Sequence, residues 1–211
     1  DFEDSKTFQK KLRSVWQLQQ HVSYCLFGSK KHLMNELFEK KNLPFYKFGD
    51  AIYLAKIETK YWIEYIWKRF ENTGKHISPE LAEEICRLVD NHSSYVQQLS
   101  WLLWIRTINT ATTEQLSYAL EDLLDQNNIL FQTETENLSA YQMNFLKAIV
   151  DGIHTKFSSK EVISKYNLGT SANIVRLKNA LLQKELIETN GKEIVLADPV
   201  FEVWFKKEML Y

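Results

Sequence analysis

The sequence predicts a mainly α fold with a small β component, and three observations lead there. Most of the 211 residues fall into segments whose apolar positions recur at the helical period of 3.6. Several of these segments open on Ser or Thr with Gln or Glu three residues later, the reciprocal cap that starts helices. Near the C-terminus, Asn190-Gly191 stands between two short β-type runs, the strongest two-residue hairpin signal.

Composition narrows the function classes. With 45% hydrophobic residues the chain can bury real cores, but a formal net charge of -1 gives it no global attraction to nucleic acid or membrane. No run approaches the roughly 18 apolar residues of a membrane span, and the charged first residues have no signal-peptide apolar region. Cys25 and Cys86 sit in apolar surroundings far apart in sequence, so reduced core cysteines in a cytoplasmic protein are the expectation.

Residues 1–58 read as α/β. Phe8, Leu12, Val15 and Trp16 recur at helical spacing, with the Lys10, Lys11 and Arg13 cluster as that helix's solvated face. Residues 22–27 are nearly continuously apolar, the pattern of a strand buried on both faces. Gly28 allows a sharp exit, and Ser29 is placed to cap a helix carrying Leu33, Met34, Leu37 and Phe38. A loop punctuated by Pro44 and Gly49 leads to a second strand at 51–57. Two parallel strands do not make a stable sheet, so the sheet is expected to begin upstream of Asp1. The uncovered strands are expected to pair with a second molecule or to be ordered only by docking.

Residues 59–137 read as helical throughout. Trp62, Ile63, Ile66, Trp67 and Phe70 trace one stripe that ends at Gly74. Ser78-Pro79 starts the next helix with proline at the first helical position, where its missing N–H costs nothing. Residues 91–94 interrupt the pattern before Val96, Leu99, Leu102 and Leu103 resume it. Thr112 and Gln115 form a capping box for the fourth helix.

Residues 138–211 carry the most specific local grammar. Ser139 with Gln142 caps one helix, and Ser158 with Glu161 a short second one. Asn167-Leu168-Gly169 is a turn, and Thr170 opens a third helix to about Lys184. The hairpin about Asn190-Gly191 follows, and Asp198-Pro199 caps a closing helix with Val200, Phe201, Trp204 and Phe205. Three helices, the last two joined by a tight turn, followed by a hairpin, spell a winged helix-turn-helix.

Taken together, residues 22–34, 43–46, 91–99 and 198–205 resemble the C-terminal part of the archaeal-type ATPases, P-loop proteins of the broader AAA+/STAND group. The resemblance covers essentially the whole chain. It implies that 1–58 is the end of a P-loop α/β core, that 59–137 is a helical lid and that 138–211 is the winged helix. No Gly-x-x-x-x-Gly-Lys-Ser/Thr motif occurs in the sequence, so ATP and Mg are expected in the parent protein and none in this chain by itself. Catalysis is likewise expected of the parent, and the Walker B acidic pair is expected just before Asp1.

Residue by residue, the resemblance puts Ser29 at the family's sensor position, where a hydroxyl orients water or reports the γ-phosphate; its other reading is the helix N-cap. Lys30 stands beside it as a phosphate neutraliser. The family's Pro-Leu-Tyr-Gly-Arg loop corresponds to residues 44–48, where Lys47 stands one residue away from the arginine and lacks its bidentate fork. His92 and Tyr95 occupy the turn that meets the nucleotide base in the family, with His92 equally a cap of the preceding helix. The histidines and cysteines have no metal-ligand spacing.

For the winged helix, Arg176, Asn179 and Gln183, with Asn173 at the edge, fall opposite the core stripe of Ile174, Leu177 and Leu181, and Lys192 lies in the wing. These residue types read bases or hold phosphate. The charge is thin for that role, with ten Lys/Arg against eight Asp/Glu from residue 138 onward. Two functions follow as expectations. In one, the chain is the regulatory C-terminal part of an ATP-binding protein, docked on its upstream ATPase core or on a protein partner. In the other it is a DNA-binding module controlled by the ATPase.

Overall fold

The structure is a computed structural model that describes residues 4–28 and 31–209. The chain divides into two compact units, Asp1–Ala55 and Lys56–Tyr211.

In the first unit, helix α1 (Ser5–Trp16) begins where the Asp4 carboxylate accepts from the Thr7 N–H at 3.0 Å. Helix α2 spans Lys31–Glu39. An aromatic nucleus holds the unit together: Phe45 is buried, with the Trp16 ring stacked 5.5 Å and the Phe38 ring 5.7 Å from it. Arg13 departs from the solvated role expected of it. Its guanidinium donates to the Pro44 and Tyr46 carbonyls and so clamps the 44–46 loop onto α1.

The two strands read from the apolar runs do not form. Residues 22–28 and 51–55 have no ladder partner, and Phe27, Ile52 and Leu54 are 92%, 84% and 88% exposed. An apolar run supplies the faces of a strand but not the neighbouring backbone that must share its N–H and C=O groups. Cys25 accordingly lies exposed, contrary to the core position expected for it, whereas Cys86 is buried and its thiol is pushed up to about 11 by burial. Ser29 and its role as a cap or sensor lie outside the described residues.

The second unit begins with four helices, α3 (Thr59–Glu71), α4 (Pro79–Leu88), α5 (Ser93–Arg106) and α6 (Thr113–Glu136). The Ser78 hydroxyl caps α4 from the Leu81 N–H, and Thr112 with Gln115 closes the predicted capping box on α6. The α4–α5 turn places both Asp90 and Asn91 at positive φ, 46° and 53°. The loop before α4 is tied to the loop before α6 by two backbone bonds, His76 N–H to the Asn109 carbonyl and Ala111 N–H to the His76 carbonyl.

Helices α7 (Ala140–Val150), α8 (Lys160–Lys165) and α9 (Ser171–Gln183) follow, then strands β1 (Ile187–Asn190) and β2 (Glu193–Leu196) and helix α10 (Pro199–Met209). This is the winged helix that the spacing predicts. Ser139 and Gln142 make their reciprocal cap. Two details shift by one residue. Ser159, not Ser158, caps α8 by accepting from Val162 N–H, after Lys156 turns the chain through positive φ. In the hairpin Asn190 pairs with Glu193, so Gly191-Lys192 forms the two-residue loop. Gly191 takes the positive φ of 61° at its first position, where glycine carries no Cβ penalty.

Between α8 and α9 the backbone passes through positive φ at Asn167 and at Gly169, with Leu168 fully buried between them. A Cβ on Gly169, at φ 84°, would also stand 3.2 Å from the Asn173 amide nitrogen. Gly169→Ala is therefore expected to cost about 1–2 kcal/mol. A lower urea midpoint at unchanged m-value is the result that checks it.

Candidate functional site

The best-connected polar site lies where α5, α6 and α10 meet. Asp198 precedes Pro199, and one of its carboxylate oxygens, Oδ1, accepts from the N–H groups of Val200 and Phe201 at 2.8 and 3.0 Å. The other, Oδ2, accepts from the Tyr95 hydroxyl at 2.5 Å. Tyr95 is buried on the first turn of α5, with the His92 ring centred 4.7 Å from its own. Burial raises the Tyr95 hydroxyl well above its ordinary range, and the bond to Asp198 and the charges of Asp198 and Glu134 act in the same direction. Glu134 on α6 is also raised, by burial first and by the Asp198 charge second.

Aromatic packing surrounds this site. Phe131 meets Phe201 edge-on at 5.3 Å and Trp204 at 5.6 Å, and the Trp204 indole N–H donates to Asn128 on α6 at 2.8 Å. Asp198 and Glu134 were not singled out for this role in the sequence. The Asp-Pro pair announces a cap, but the second oxygen's reach to a tyrosine 103 positions earlier has no local signal.

The other predicted residues are dispersed. His92 occupies the N-cap of α5 without a side-chain cap bond, and its buried Nδ1 has no hydrogen-bond partner. Lys47 is exposed at φ 50°, its ammonium 5.6 Å from the Tyr46 ring centroid, in the first unit. Lys30 lies outside the described residues, as Ser29 does. A cleft of about 470 Å³ beside the α4–α5 turn is lined by Glu80, Glu83, Glu84 and Asp90 together with Arg87; Arg87 pairs with Glu84, and Lys56 pairs with Asp90. Among the described residues no group of three or more His, Cys, Asp or Glu is placed to hold a metal ion.

On the winged helix, α9 presents Arg176, Asn179 and Gln183 to solvent, and Lys192 is exposed at the wing tip. Asn173 is half-buried and spends its amide on the Leu168 carbonyl at 3.0 Å, which fixes the turn about Gly169. Val175, 62% exposed, adds an apolar group to the outer surface of α9. The wing's lysine has Glu193 as its neighbour. His154, to which the sequence assigned no role, binds the wing from the α7–α8 loop. Its carbonyl accepts from Ile194 N–H at 2.9 Å, and its Nδ1 lies 3.1 Å from the Ile194 carbonyl oxygen.

Residues 129–207 match the family model described as a probable winged helix domain. That span takes in the end of α6 as well as the helices and hairpin that follow it. Over 98% of its length the chain is also similar in fold to a solved structure, the Walker-type ATPase PABY2304 of Pyrococcus abyssi, with a TM-score of 0.72 and 17% sequence identity. The chain spans 59% of that protein's length. No curated protein matches the sequence. Among the described residues, no helix is long and apolar enough to cross a membrane.

Two variants test the electrostatics of the site. Asp198→Ala removes a helix cap and leaves the buried Tyr95 hydroxyl unpaired, at an expected cost of about 2–4 kcal/mol in chemical denaturation. Glu134 titrates above its unfolded value, so its contribution is fully present below the unfolded pKa and is lost as pH rises through the folded one. Glu134→Gln, neutral at every pH, is therefore expected to melt above the wild type at pH 7, with the gain shrinking toward pH 4.

Proposed function

We propose that this chain is the C-terminal regulatory part of a Walker-type ATP-binding protein of the AAA+/STAND kind, in which the winged helix couples nucleotide state to the ATPase core or to a protein partner. The observation that carries the reading is the fold likeness over 98% of the chain to a Walker-type ATPase of which it spans 59%. The exposed apolar segments at 22–27 and 51–55 support it, because they have the composition of strands that a neighbouring sheet would cover. The upstream core is the partner proposed for those edges. Self-association through the same edges is the alternative that concentration-dependent sedimentation would reveal.

In this reading the phosphates of ATP and its Mg belong to the upstream P-loop, whose backbone N–H groups and lysine supply most of the phosphate affinity. Ser29 is assigned the sensor position, with Lys30 beside it as a phosphate neutraliser. Among the described residues, His92 is the one the family resemblance assigns to the nucleotide base, and its buried Nδ1 lacks a partner. The Tyr95 hydroxyl is already committed to Asp198, which leaves its ring alone for packing. Calorimetry on residues 1–211 is expected to show no micromolar ATP binding, while the longer, P-loop-containing protein binds ATP and changes amide exchange in its winged helix. Micromolar binding to residues 1–211, or a winged helix indifferent to nucleotide, would overturn the reading.

A specific observation favours a second reading, DNA contact: Arg176, Asn179 and Gln183 are exposed on one helix and Lys192 on the wing. Against it stand the exposed Val175, the committed amide of Asn173 and the acidic neighbour of Lys192. Phosphate neutralisation dominates duplex affinity, so random duplex is expected to bind no more tightly than about 100 μM at physiological salt. Low-micromolar affinity that falls steeply with salt and weakens in Arg176→Ala would establish the DNA reading instead.

A further inference from the structure

The α4–α5 turn and the closing helix are distant in sequence, yet one short bond joins them. Tyr95 donates to Asp198, and that same carboxylate fixes the first turn of α10 through Val200 and Phe201. The other side of Tyr95 rests on His92, whose ring is 4.7 Å away and whose Nδ1 has no partner of its own. His92 follows two residues held at positive φ, Asp90 and Asn91, so the turn is fixed by its backbone and not by a side-chain cap. Beyond α10 the path continues through Phe201 and Trp204 into Phe131 and Asn128 of α6, and α10 also packs on α7 and β2 of the winged helix.

We propose that the Tyr95–Asp198 hydrogen bond is a latch through which the α4–α5 turn controls the seating of α10 on the elements it packs against. A contact that moves His92 moves the Tyr95 ring. The hydroxyl must then either carry Asp198 with it, disturbing the cap of α10, or give up a buried hydrogen bond. Both outcomes transmit the disturbance, because one carboxylate serves both partners. Tyr95 acts through Asp198 and is a positioning residue. The proposal rests on the regulatory reading above only for the identity of the event that moves the turn.

The test needs no nucleotide and uses residues 1–211. His92→Ala, or His92→Gln where volume must be kept, disturbs the turn, and Tyr95→Phe opens the latch while preserving the ring. Amide exchange is read in α10 at 200–205 and normalised to the α7 core at 145–150, so that general destabilisation cancels. In the wild-type background the His92 variant is expected to speed α10 exchange about tenfold relative to α7. In the Tyr95→Phe background it is expected to add less than twofold. Equal acceleration of α10 in both backgrounds, or no selective acceleration in either, overturns the latch. Since ATP is absent from this experiment, its failure is distinct from failure of the nucleotide response in the longer protein.

Discussion

Asp198 must begin a helix and hold it against an earlier one, and its two carboxylate oxygens divide the work. A helix start leaves N–H groups without intrahelical partners. Oδ1 satisfies two of those of α10, and Pro199 has no N–H to satisfy. Oδ2 is thereby left free to bind Tyr95 on α5. The cap fixes where α10 begins, and its position brings Phe201, Trp204 and Phe205 into the core with Phe131. Half-buried Asp198 thus has three donors, one of them a tyrosine. The neighbouring Glu134 carboxyl is raised by burial first and by the Asp198 charge second.

How much of this was legible in the sequence depends on how local each interaction is. Capping boxes join residues three positions apart, and those at Thr112 and Ser139 form as the spacing predicts. The turn at Gly169 and the hairpin were legible for the same reason, with errors of a single residue where Ser158 and Ser159, or Asn190 and Gly191, compete for one position. The runs at 22–27 and 51–57 read as strands because periodicity reports only faces. Strand formation also needs a second backbone, which no residue within the run can specify. Arg13 illustrates the same limit on a helix. Its place among lysines suggested a solvated face, but the carbonyls it binds lie some thirty residues on.

The candidate site follows this division. Asn173 and Arg176 are one turn apart on α9 and both are candidates for DNA contact, Asn173 at the edge of that face, yet Asn173 is drawn back to the Leu168 carbonyl while Arg176 faces solvent. A helical wheel assigns a direction to each side chain but is blind to the acceptor that the preceding turn offers. Tyr95 was noticed for its place in a family-like turn, whereas its hydroxyl partner lies at the far end of the chain. His154 gave no signal at all, because its bond to Ile194 exists only once the wing has folded back beside it.

Helix α6 has one further geometric consequence. Its 24 residues run without interruption from the cap at Thr112, beside α5, to Glu136 at the threshold of the winged helix. At 1.5 Å per residue that is a rod about 36 Å long. Its N-terminal half buries Leu116, Ala119 and Leu123, and its C-terminal half buries Phe131 and Thr135. A rod gripped at both ends adds leverage as well as stability. A tilt of about 10° at one end sweeps the other through about 6 Å, a displacement larger than one helical turn. The element that meets this C-terminal half is α10, whose Phe201 and Trp204 rest on Phe131.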